Sequence, residues 1–277
     1  MSLETGVDPA FLTCAHHLAD RAAQVTLPYF RNSLEVENKA GATAAFDPVT
    51  AADREAERVI EEELARTFPE HGLEGEEFGL RRPNARYRWL VDPIDGTRAF
   101  MTGSPLWGTL IGLLDSGSPL IGLMDQPFTG ERFWSDGKQS FARRDGSAAR
   151  PIASRRCRKL ADAVFMTTDP GLFKSERERS VLERLQGSAR LTRFGGDCYA
   201  YALLAMGFVD VIAECRLQPY DIVPLIPIIE HAGGRVTTWD GAPALHGGAI
   251  LACGDTDLHA QILELIATAP APKGPSG

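Results

Sequence analysis

The run WLVDPIDGT, residues 89–97, constrains this chain more than any other segment. Trp89, Leu90 and Val91 are apolar without interruption and read as a buried strand. The strand is expected to stop at Asp92-Pro93, because proline fixes its own φ and restrains the residue before it. A second acid follows at Asp95, and Gly96 permits backbone that other residues resist. The end of a buried strand is thus a stiff loop on which two carboxylates can converge. Pro, Asp and Gly also favour ordinary turns, so these letters alone fit a plain turn as well.

The rest of the chain reads as two regions of different character. Asp8 to about Phe30 has apolar residues three and four apart, as in an amphipathic helix. Residues 33–49 read as a break. A second helix is expected after Thr50, where Thr50 and Asp53 have the form of a capping box, with Val59, Ile60 and Leu64 as its buried stripe. GLEGEEFG reads as a polar segment. Apolar runs over residues 106–125 and 131–143, joined by SGS and Asp136-Gly137, predict an antiparallel meander. Beyond a polar, basic stretch near 145–155, strands and helices alternate: DAVFMTTD, ERERSVLERLQG, DCYAYALLAM, VDVIAEC, a proline-interrupted helix over IVPLIPIIEHAGG, GAILACG and DLHAQILELIAT. The expected division is an α+β lobe over 1–148, an α/β lobe over 149–267 and a disordered Pro- and Gly-rich tail over 268–277.

Composition narrows the classes of function. The chain has 277 residues and a formal net charge of −8, a poor basis for binding nucleic acid. Its five cysteines are odd in number and show no CxxC pair, against both a disulfide framework and a zinc ribbon. The six histidines have no ligand-like spacing and read as structural. No stretch approaches a membrane span, and the first residues do not read as a signal peptide. The expectation is a soluble, cytoplasmic protein with no membrane partner.

More acids gather around the central run. FDPVTAAD places Asp47, Thr50 and Asp53 at a helix start. GEE carries Glu76 and Glu77 upstream, and Asp221 sits beside the opening of an apolar helix. Carboxylates on a rigid turn suit a hard cation such as Mg²⁺, which wants oxygen ligands. The order Lys39, FDPVTAAD (46–53), GEE (75–77), WLVDPIDGT (89–97) and Tyr220-Asp221 resembles the inositol monophosphatase family, with the match running from about residue 8 to 267.

That resemblance implies a mixed α/β fold layered α/β/α/β/α, a homodimer, and two or three Mg²⁺ ions acting on a small phosphate ester. It implies Glu76, Asp92, Asp95, Asp221 and the Ile94 carbonyl as metal ligands. Asp47 and Thr97 become the pair that activates water, with Glu76 also catalytic, and no phosphoenzyme forms. The amides of Gly96 and Thr97 would receive phosphate. Lys39 lies near the place of a family lysine, on a shorter linker.

Within the family, DPIDGTRAFMTGSPLWGTLIGLL, FGGDCYAYALLAMG and LQPYDIVPLIPIIEHAGG resemble histidinol-phosphate phosphatases. Inositol phosphatases carry a small polar residue where Arg98 stands, small residues near Asp197 and a Trp where Tyr220 stands. Histidinol phosphate is cationic away from its phosphate, so acids suit it. Asp197 and Glu214 are therefore expected at the substrate, with Arg98 and Asp221. Asp197 could equally cap the helix it precedes, and Arg98 could be a structural ion pair. Two other readings stand beside this one: a phosphatase for inositol, sugar or nucleotide phosphates, and a low-turnover binding or regulatory member.

Overall fold

In the computed structural model, which describes residues 7–32, 36–38 and 48–269, the first helix, α1 (Pro9–Thr26), opens where Asp8 accepts the Ala10 N–H at 2.9 Å. Proline suits the first helical position, whose N–H has no helical partner anyway. The helix stops short of the expected Phe30. Pro28 has no N–H to extend the ladder, and Phe30 packs instead on Phe100 and Trp107. Two short strands, β1 (Val36–Asn38) and β2 (Pro48–Thr50), pair antiparallel in the segment read as a break. Helix α2 (Ala51–Thr67) follows at the expected cap, where the Asp53 carboxylate accepts the Thr50 N–H at 2.8 Å and the Thr50 hydroxyl at 2.5 Å. Its buried face differs from expectation: Ile60 and Leu64 are buried, Val59 is half-buried, and Glu57 is buried.

The first sheet is built from β3 (Gly72–Gly75), β4 (Gly79–Arg81), β5 (Tyr87–Asp95), β6 (Gly108–Asp115), β7 (Ser118–Gln126), β8 (Glu131–Ser135), β9 (Ser140–Arg144) and β10 (Arg150–Ile152), with the short helix α3 (Thr97–Met101) after β5. Their spatial order is β10-β9-β8-β7-β6-β5-β3-β4. The predicted meander is present, and β3 alone runs parallel to its neighbour β5. GLEG thus forms a strand where a polar segment was expected. Its ladder bonds are made by backbone, which composition does not report. β5 does not stop at Asp92-Pro93 but continues to Asp95 through a bulge.

The second sheet comprises β11 (Val164–Thr167), β12 (Leu191–Phe194), β13 (Val211–Leu217), β14 (Arg235–Thr238) and β15 (Gly248–Cys253), ordered β12-β11-β13-β15-β14. Helices α4 (Glu176–Ser188), α5 (Asp197–Ala205), α6 (Pro219–Ile222), α7 (Leu225–Glu230) and α8 (Thr256–Ala267) complete it. The helix expected over IVPLIPIIE is divided in two before Leu225, where Pro224 cannot donate to the preceding turn.

Alternation along the strands sets the layers. Trp89 and Val91 of β5 join a core with Leu18 of α1 and Ile60 of α2. Leu90 faces the other way, into a core with Leu204 of α5, Ile229 of α7 and Ile212 of β13. Beyond the second sheet, Phe165, Ala213 and Leu251 pack on Val181 of α4 and Ile262 of α8. The layers run α1/α2, first sheet, α5/α7, second sheet, α4/α8, which is the α/β/α/β/α arrangement expected. All five cysteines are buried and free. Among the described residues no helix is long and apolar enough to cross a membrane.

Candidate active site

In a regular strand, residues three apart point to opposite faces. Asp92 pairs with Leu110 and Asp95 with Gly108, so β5 spends one more residue than β6 between those two pairs. The extra residue of this bulge returns Asp95 to the side that Asp92 faces. Thr109 holds the bulge by donating its hydroxyl to the Pro93 carbonyl at 2.8 Å. Ile94 is buried among Phe30, Ala52, Phe100 and Trp107. The DPID turn is therefore anchored by packing as well as by proline.

Asp221, near the start of α6, meets this pair from the far side. Carboxylate oxygens of Asp92, Asp95 and Asp221 lie within 4.8 Å of one another. Each is oriented by a backbone N–H. Asp92 Oδ1 accepts from Ile94 at 3.0 Å, Asp95 Oδ2 from Cys198 at 2.7 Å and Asp221 Oδ2 from Gln218 at 2.7 Å. Burial pushes the Asp92 carboxyl well above the usual range, and the charges of Glu76, Asp95, Asp221 and Asp53 add to it. Burial likewise raises Asp95 to about 6, against the opposing hydrogen bonds from Cys198. Oxygen ligands this close, held by fixed amides and strained by mutual repulsion, fit a hard divalent cation.

Glu76 follows β3 directly and stands outside this tight trio, but among neighbouring charges it acts most on Asp92. The Thr97 hydroxyl donates to the Ile94 carbonyl at 3.3 Å. Gly96 has φ 87°, and a Cβ there would stand 3.1 Å from the Asp197 side chain, so the turn abuts the start of α5. Arg98 pairs with Asp169 at 3.5 Å on the exposed rim. Lys39 and Asp47, expected to contribute, lie outside the described residues, as does the tail from 270.

A cavity of about 90 Å³ opens beside the trio, lined by Asp95, Thr168, Asp197, Tyr201, Glu214 and Asp221, among others. Glu214 is buried and accepts the Thr168 N–H at 2.7 Å and the Thr167 hydroxyl at 3.1 Å. Burial raises it to about 7 despite those bonds. Asp197 does not cap α5; Gly196 holds that position, and Asp197 is the first helical residue, with φ 43°. Burial, then the charges of Asp95 and Glu214, push Asp197 up to about 8, and Arg98 opposes them. A larger cavity of about 300 Å³, lined by Phe68, His71 and Arg81, lies away from these acids.

A model of the Inositol monophosphatase family matches residues 9–271. The chain belongs to this family. It is accordingly a phosphatase of a metal-dependent family that acts on small phosphate esters. It is 40% identical over 265 residues to a bifunctional phosphatase, IMPL2, of Arabidopsis thaliana chloroplasts, covering 92% of this chain and 74% of that protein. It is 35% identical over 260 residues to a histidinol-phosphatase of Mycobacterium tuberculosis, covering 91% of this chain and 96% of that one. The fold is similar to that of an inositol monophosphatase from Zymomonas mobilis, at TM-score 0.81 and 38% identity over 92% of this chain and 96% of that chain.

Three residues at the site escape sequence reasoning. Cys198 holds Asp95 through its amide, and any residue there has one. Asp169, two residues past β11, meets Arg98 of α3 across 71 residues of sequence. Glu57 is one acid among many on α2, and its one signal is its place three before Ile60 and seven before Leu64, on the buried stripe.

Proposed function

We propose that this member of the inositol monophosphatase family hydrolyses L-histidinol phosphate to L-histidinol and phosphate, with Mg²⁺ held by Glu76, Asp92, Asp95, Asp221 and the Ile94 carbonyl. A divalent cation supplies, when bound, Lewis acidity toward phosphoryl oxygens and a lowered pKa for water beside it. The chain's own groups do the rest. The amides of Gly96 and Thr97 receive a phosphate oxygen. The Thr97 hydroxyl and Asp47 orient the attacking water, the Asp47 carboxylate takes its proton, and the departing alkoxide is protonated from solvent. Asp197 and Glu214 face the leaving alcohol, with Arg98 at the rim.

The observation that carries the substrate reading is the cavity beside the trio. Asp197 and Glu214 line it, and both are raised by burial and by neighbouring negative charge. A ligand bearing positive charge relieves that repulsion, whereas a neutral ring does not. The likeness to a histidinol-phosphatase supports the same reading. The likeness to a solved inositol monophosphatase favours a second one, in which inositol 1-phosphate is the substrate. Asp197→Ala tests the first. On histidinol phosphate its loss in kcat/KM is expected to exceed its loss on p-nitrophenyl phosphate by about 10-fold, near 1.4 kcal/mol. Equal losses on both would mean that Asp197 serves structure and not recognition.

A further inference from the structure

We propose that Glu57, on α2, is a positioning residue that sets the Glu76 loop for cation binding; the inference rests on the metal reading above. Glu57 is 1% exposed, which is rare for a glutamate without fixed partners. Its Oε2 accepts the Glu77 N–H at 2.7 Å and its Oε1 the Phe78 N–H at 2.9 Å. Both oxygens thus hold consecutive amides immediately after Glu76. Charge-assisted bonds of this kind are the stronger class and fix peptide planes. On the other side of Glu76, a Cβ at Gly75 would stand 2.0 Å from Glu57 Oε1. The carboxylate therefore occupies the space of a side chain at 75 and grips the backbone beyond 76.

The loop needs such a grip. It joins β3 and β4, strands of only four and three residues, and β4 is exposed along its whole length. Glu76 acts on both Asp92 and Asp95 through its charge, so a shift of its backbone alters the field at the trio. Groups that orient a metal ligand without touching the metal typically contribute 10–100-fold to affinity.

The test is Mg²⁺ binding by calorimetry on the full chain without substrate, for wild type, Glu57→Gln and Gly75→Ala. Gln presents an amide N–H₂ to one of the two loop amides and loses that bond. Ala at 75 forces Glu57 off the amides and leaves its charge in place. Both variants are expected to weaken the Mg²⁺ Kd about 10-fold. Their kcat should recover at saturating Mg²⁺, because Glu76 is intact, and Glu76→Gln should not recover. A lowered Tm with the wild-type Kd in both variants would overturn the inference. Should Glu57→Gln not fold, Gly75→Ala carries the same test. A wild-type chain that takes up no Mg²⁺ would overturn the metal reading itself, and this inference with it.

Discussion

Asp95 joins the two sides of the site: it ends β5 of the first sheet within the acid trio and accepts the amide of Cys198 on α5. Asp95→Asn keeps its shape and removes its charge. Phosphate release with Mg²⁺ is expected to fall on the order of 100- to 1000-fold, as for loss of one electrostatic stabiliser, with an unchanged circular dichroism spectrum. Activity within a few-fold of wild type would remove Asp95 from the metal assignment. The acids that meet here were legible because their signal is local: Asp92 and Asp95 are fixed by Pro93 and Gly96, and Asp221 opens a helix. What joins them was not legible. The bulge that turns Asp92 and Asp95 to one side is a matter of register with β6, and register has no letter of its own. Glu57, within the charge-dense run EAERVIEEELAR of α2, is easily read as one more solvated acid, although it shares a face with Ile60 and Leu64.

Among the elements, α7 packs closely on β7 of the first sheet. A Cβ at Gly122 of β7 would lie 1.8 Å from the Pro224 carbonyl oxygen, just ahead of α7. That neighbour is backbone and cannot rotate away. Gly122→Ala is therefore expected to destabilise by about 1–3 kcal/mol, as overpacking does, read as a lower urea midpoint with unchanged slope. A wild-type midpoint would mean that the two layers are less tightly joined than described. The strands LIGLMD and GTLIGLL were legible from their unbroken apolar runs and short turns. β3 and β4 were missed because Gly-, Glu- and Arg-bearing segments pair here through backbone bonds, with Leu73 buried on β3. The proline-broken helix was legible as apolar, and Pro224 sets its division.

For the whole molecule, five layers place the acid trio where β5, α5 and α6 converge, between the two sheets. β10 still belongs to the first sheet and β11 opens the second, so we propose the stretch between Ile152 and Val164 as the boundary of the lobes expected at 148/149. Stability of the assembled layers carries a pH signature outside the site. Burial, then the Arg235 charge, lowers His259 from 6.5 to about 4, with its Nε2 3.0 Å from Thr237 Oγ1. The unfolded chain binds the proton more readily, so this contribution is complete above about pH 6.5 and is lost as pH falls toward 4. The stability difference between wild type and His259→Gln should therefore shrink by about 2–3 kcal/mol from pH 7 to pH 4, measured by urea unfolding. A pH-independent difference would show that His259 keeps its ordinary proton affinity. The measurement that bears most directly on the account compares phosphate release with Mg²⁺ from histidinol phosphate and inositol 1-phosphate at matched concentrations. A kcat/KM ratio above about 100 for histidinol phosphate, near 3 kcal/mol of discrimination, is the predicted result. Equal or reversed rates would contradict the substrate proposed for the Asp197 and Glu214 pocket.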